Sequence, residues 1–117
     1  MYEIKDNKIK LTRGDTMYAE VGMKDENGDP YTPQVGDSIR FVLKHATLEK
    51  DRSEYTDPAP LIEKAIPIDT CTLHLEPEDT KPLGFGNYVY DVEITLANGD
   101  VDTFINNMAF TLVPEVG

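Results

Sequence analysis

The sequence predicts an all-β protein, an antiparallel β-sandwich of about eight or nine strands folded as a single domain over residues 1–117. Three observations carry this expectation. Almost every apolar segment alternates with period two, which sends successive side chains to opposite faces of a strand, and none sustains the i, i+3, i+4 spacing of an amphipathic helix. Turn signals built on Gly, Asn, Asp and Pro separate these segments at short intervals. A chain of 117 residues supplies one hydrophobic core without staples from disulfides or metals.

The elements follow in order. Ile9 and Leu11 alternate with Lys10 and Thr12, and Met17, Ala19, Val21 and Met23 alternate with Tyr18, Glu20 and Gly22; each run reads as a half-buried strand. Asn27-Gly28 supplies the positive φ angles of a tight hairpin turn, with Tyr31 and Thr32 beginning the return. Residues 38–45 form a central strand after the turn residues Gly36 and Asp37, with Ile39, Phe41 and Leu43 on one face and Arg40, Val42 and Lys44 on the other. Residues 46–60 are polar and end in Asp-Pro-Ala-Pro, a long loop with one helical turn over residues 48–52.

Residues 61–66 and 71–75 are the next two strands, the second directing Cys71, Leu73 and Leu75 inward and Thr72 and His74 outward. Residues 86–96 give the clearest alternation, Tyr88, Tyr90, Val92, Ile94 and Leu96 on one face with Asp91 and Glu93 on the other. Asn98-Gly99-Asp100 marks a second hairpin, followed by strands over residues 101–105 and 108–112.

Charge and composition exclude several classes of function. With 22 acidic against 11 basic residues the net charge is −11, and no basic run exists to neutralise phosphates, so nucleic acid and anionic membrane surfaces are not expected partners. One cysteine, Cys71, and two scattered histidines, His45 and His74, are too few for an internal disulfide or a structural zinc site. No cofactor is expected. The N-terminus lacks a basic region followed by an apolar stretch, so the expectation is cytoplasmic synthesis without a signal peptide.

The segment over residues 75–92 carries the most information. It joins a strand, a short Pro-bounded turn containing Asp79, and a long strand opened by Gly86. In immunoglobulin-like sandwiches a tyrosine near the start of strand F bonds its hydroxyl to backbone just upstream, two residues before the second cysteine position. Tyr88 fits that corner and Tyr90 stands where the cysteine would be, so Tyr88, Asp79, Gly86 and Tyr90 are the candidate structural corner of an immunoglobulin-like fold.

With that corner, the chain resembles small immunoglobulin-like proteins and domains from phages and prophages of Gram-positive bacteria. The likeness rests on residues 9–16, on the hairpin over 25–31, on Val35-Gly36-Asp37-Ser38-Ile39-Arg40-Phe41, on 75–92 and on 99–112. Together they are similar to the N-terminal domain of siphophage upper baseplate proteins. The resemblance implies a non-enzymatic virion structural protein that docks on other virion or tail proteins, with a homo-oligomer as one form of assembly.

Other motifs have simpler accounts. Arg13-Gly14-Asp15 spells an integrin-binding tripeptide but sits between two strands, where Gly14 is expected to supply a turn and Asp15 and Thr16 can bond back to local amides. The acidic loop over residues 25–29 has its glycine at the wrong offset for an EF-hand. No Gly-x-Ser-x-Gly elbow, catalytic Cys/His signature or phosphate-cradling glycine loop is present. The main competitor is a small carbohydrate-binding module, which needs exposed aromatic rings; the chain has no Trp, and Tyr2, Tyr18 and Tyr55 are the candidates.

Overall fold

A computed structural model describes residues 2–25, 27–45 and 60–114. The loop expected over residues 46–60, its helical turn and Tyr55 fall outside the described residues except for Pro60. The described residues form an all-β sandwich of eight strands and one helical turn: β1 (Tyr2–Lys5), β2 (Lys8–Thr12), β3 (Met17–Glu20), β4 (Ser38–His45), β5 (Ile62–Ile66), β6 (Thr72–Leu75), α1 (Pro77–Thr80), β7 (Gly86–Thr95) and β8 (Val101–Val113). One sheet has the order β1-β2-β8-β7-β4-β5 and the other is the pair β3-β6. The neighbours β8, β7 and β4 correspond to strands G, F and C of an immunoglobulin sandwich, and β3 and β6 to strands B and E.

The expectation of a wholly antiparallel sandwich needs one correction. β2 runs parallel to β8, with Ile9 opposite Phe110 and Leu11 opposite Leu112. Parallel neighbours need a long connection rather than a hairpin, and here β3 to β7 intervene between β2 and β8. The strand β1 is an addition. It pairs with β2 across Asp6 and Asn7, whose φ angles of 51° and 66° suit the two-residue turn that matches strand twist.

Three further differences have local causes. The strand expected over residues 17–23 ends at Glu20, and the return at Tyr31 and Thr32 is reduced to a single bridge between Lys24 and Pro30. Pro30 and Pro33 lack the amide that a ladder requires. The two strands expected after residue 100 are one, β8, which crosses an irregularity in its pairing with β7. Asn107 sits there with φ 50°, and the inward parity moves from Ile105 to Phe110 and Leu112, as an inserted bulge residue demands. Cys71 precedes β6 with φ 52° and packs against the core from the strand's mouth, half-buried, while Leu73 and Leu75 are fully inside.

The core lies between the two sheets. Leu11, Met17, Phe41, Leu43, Leu75, Val92 and Phe110 are completely enclosed. The rings of Phe41, Tyr90 and Phe110 pack at centroid distances of 5.5, 6.2 and 6.4 Å, within the range that favours tilted and edge contacts. Among the described residues, two strands are too narrow to cover six. On the inner face of β1, Tyr2 and Ile4 remain 39% and 42% exposed, although their partners Leu11 and Ile9 are buried.

Candidate functional site

The four residues of the candidate corner take different roles. The Tyr88 hydroxyl donates to the Gly84 carbonyl at 2.8 Å, closing the turn between α1 and β7. Gly86 opens β7 with φ 133°, a conformation that favours glycine. The Asp79 carboxylate accepts the Glu76 amide at 2.8 Å, capping α1, and meets Lys64 Nζ at 3.0 Å, which ties the helical turn to β5. Tyr90 turns away from this corner. Its hydroxyl donates to the Asn7 carbonyl, so the phenol fastens the β1–β2 turn to the core, and burial pushes its pKa up to about 12.

The corner also takes in residues whose role the sequence does not show. Thr80, fully enclosed, accepts the Gly14 amide on Oγ1 at 2.9 Å. Arg13 donates from Nη1 to the Leu83 carbonyl at 3.2 Å and lies 4.3 Å over the Phe85 ring. The Arg13-Gly14-Asp15 tripeptide is thus a strand-switching turn, with Gly14 at φ 85° and Arg13 laid against the corner. Asp15 donates its amide to the Thr12 carbonyl at 3.1 Å.

A second polar centre lies at the opposite turn. Asp37 Oδ2 accepts the Gln34 amide at 2.8 Å and the Tyr31 hydroxyl at 2.6 Å, and Oδ1 accepts the Ala97 amide at 3.1 Å. The Gln34 amide, then the Tyr31 phenol, hold the Asp37 carboxyl below the ordinary carboxylate range, and the bond to Asp37 raises the Tyr31 phenol. This carboxylate joins the segment before β4 to the β7–β8 turn. Its signal in the sequence is no more than an Asp after a turn glycine.

On the outer face of the larger sheet, Val42 and Lys44 are buried although they alternate with the core positions of β4. Lys44 Nζ lies 2.8 Å from Asp91 Oδ2, and Asp91 Oδ1 accepts the Asn107 amide at the β8 bulge at 2.7 Å. Arg40 and Glu93 form a looser pair at 3.7 Å. A cavity of about 270 Å³ beside them is lined by Arg40, Val42, Lys44, Asp91, Glu93 and Thr103, with Pro60 at its rim.

A wider cleft, about 430 Å³, opens at the end of the sandwich with an apolar floor of Met23, Ile94 and Phe104 and Asp25, Asp100 and Asp102 at its mouth. Asp25 Oδ1 is engaged by the amides of Asn27 and Asp29. Among the described residues no group of three or more His, Cys, Asp or Glu side chains is placed to hold a metal ion. Among them, too, no helix is long and apolar enough to cross a membrane.

Of the aromatic candidates, Tyr18 is 56% exposed on β3 and stacks on His74 of β6, rings 4.4 Å apart and nearly parallel. The two are direct cross-strand partners, so the stack follows from register. No family model matches the chain, and no curated protein or solved structure matches it.

Proposed function

We propose that this protein is a non-enzymatic structural component of a phage or prophage virion, of the tail or baseplate type, which works by docking on other virion proteins. The observation that supports this reading most is the overhang of the larger sheet. Among the described residues β1 has no strand on its outer side, and its inner face leaves Tyr2 and Ile4 accessible where the second sheet ends. Sheet edges of this kind accept a partner's strand through backbone hydrogen bonds. The polar centres at Tyr88, Asp37 and Asp91 are engaged with the protein's own backbone, which fits them to holding a scaffold.

The test is copurification with the products of neighbouring genes, expressed together, followed by hydrogen exchange on the complex. Binding to a tail or baseplate protein with protection at a sheet edge is the expected result. Gene neighbours unrelated to virion assembly, and no complex with their products, would overturn the proposal. The competing reading is carbohydrate binding, for which Tyr18 offers the most exposed ring. Calorimetry with cell-wall polysaccharides, repeated on Tyr18→Ala, decides it; no heat at millimolar sugar removes that alternative.

A further inference from the structure

We infer that β1 is a self-complementary edge, and that its partner is the β1 strand of a second copy of this chain, paired antiparallel about a two-fold axis normal to the sheet. This rests on the docking reading and names a partner for that edge. Among the described residues, β1 ends the six-stranded sheet with all four of its residues exposed.

The backbone is presented in a definite phase. Lys5 and Lys8 close the two-residue turn, and the pair that closes such a turn directs its hydrogen bonds inward between the two strands. By alternation Glu3 also bonds toward β2, while Ile4 and Tyr2 aim their N–H and C=O groups at the open side. Ile4 can therefore meet Ile4 of the second copy as a hydrogen-bonded pair on the axis.

The charges select that register. A two-fold axis normal to the sheet keeps inner faces together, so it must pass through a residue. Centred on Glu3 it sets two carboxylates opposite each other, and centred on Lys5 it sets two ammonium groups opposite each other. Centred on Ile4 it sets Glu3 across from Lys5 of the second copy, twice, at the non-hydrogen-bonded positions where side chains come closest. A lysine on an edge strand ordinarily repels pairing. Here Glu3, two residues away, cancels that repulsion in one register alone.

The inner face matches. The Ile4 side chains meet beneath the axis, flanked by Tyr2, where each copy's narrow second sheet stops short. The edge is also held in place beforehand, since Tyr90 anchors the β1–β2 turn through Asn7.

The test is a charge-reversal cycle read by sedimentation equilibrium on the full chain. The unaltered protein is expected to dimerise reversibly in the millimolar range, with a detectable dimer fraction at about 1 mM. Glu3→Lys and Lys5→Glu each turn two attractive pairs into two repulsive ones, weakening the dimer by about tenfold, and the double variant E3K/K5E restores it. Both changes are at exposed positions, and urea unfolding checks that each of the three variants is folded. A protein that stays monomeric to about 1 mM, single variants that dimerise like the original, or a double variant that fails to recover would each overturn the inference. A monomer that still binds tail proteins would remove this inference and leave the docking proposal standing.

Discussion

Replacing Thr80 by valine isolates one hydrogen bond and tests the account of the α1–β7 corner. The side chain is fully enclosed, and its hydroxyl is the acceptor for the Gly14 amide at 2.9 Å. Valine keeps the shape and both branches at Cβ but leaves that donor without a partner. A buried donor left unmade costs about 1–3 kcal/mol, and since Gly14 is itself only half-buried the lower part of the range applies, about 1–2 kcal/mol. Thr80→Ser keeps the oxygen and loses one enclosed methyl group, about 1 kcal/mol. Thr80→Ala combines both losses at about 2–3 kcal/mol.

Tyr88→Phe should fall below the alanine variant, at about 1 kcal/mol, because its acceptor Gly84 is exposed and can turn to water. Urea unfolding should show these losses as shifts in midpoint at unchanged slope. Hydrogen exchange adds a readout specific to the bond: the Gly14 amide loses protection in Thr80→Val and keeps it in Thr80→Ser. A valine variant as stable as the original, with Gly14 still protected, would refute this account of the corner.

Asp37→Asn should destabilise the protein at neutral pH. Because the Asp37 carboxyl is held below its ordinary range, its contribution is present above the unfolded carboxylate value and is lost as pH falls through the folded one. The gap in melting temperature between the two proteins should therefore close below about pH 4; a gap constant from pH 7 to pH 2 would contradict this. Tyr90 has the opposite sign. Its phenol is pushed up to about 12, so its contribution is complete below the ordinary tyrosine range and falls as pH rises toward the folded value. Tyr90→Phe should lose less stability than the original between pH 9 and pH 12, as followed by urea midpoints. Gly36→Ala places a Cβ at 2.8 Å from that of Ala97 on a backbone with φ 98°. About 1–3 kcal/mol should be lost, with melting lowered by several degrees; adding Ala97→Gly should recover the steric part and leave the backbone part.

What could be read from the sequence divides by distance along the chain. Period-two alternation locates β4, β7 and the inward positions of β6, since each strand reports its own burial. The Tyr88 corner is legible because donor and acceptor lie four residues apart. The bonds Thr80–Gly14, Arg13–Leu83, Asp37–Ala97 and Tyr90–Asn7 span 66, 70, 60 and 83 residues, and no local spacing signals a bond of that kind. β1 escapes for a different reason. It is four residues long and exposed throughout, so Tyr2 and Ile4 alternate with Glu3 and Lys5 without reporting a buried face. Asp91 and Glu93 stand on an outward face as their alternation requires, but they pair with Lys44 and Arg40 rather than serve only as solvated charge.

The same geometry bounds how strongly β1 can hold a second copy. Full burial of an isoleucine or tyrosine side chain stabilises by about 1.5–3 kcal/mol, and Tyr2 and Ile4 are already more than half covered. Roughly 1 kcal/mol per side chain is left to gain, with a few tenths for each Glu3–Lys5 pair. Two-fold symmetry supplies each of these twice, and the two backbone hydrogen bonds of the Ile4 pair add about 1 kcal/mol each, so the gain exceeds an association cost of at least about 4 kcal/mol by only about 3 kcal/mol. An edge of four residues thus specifies orientation and register well but binds weakly between free molecules. It becomes effective where copies are already held close, because tethering replaces bimolecular association by an intramolecular step at millimolar effective concentration. Repeated copies around a virion tail would provide that setting. A free monomer in dilute solution, with pairing only at high concentration, is the behaviour this strand's length dictates.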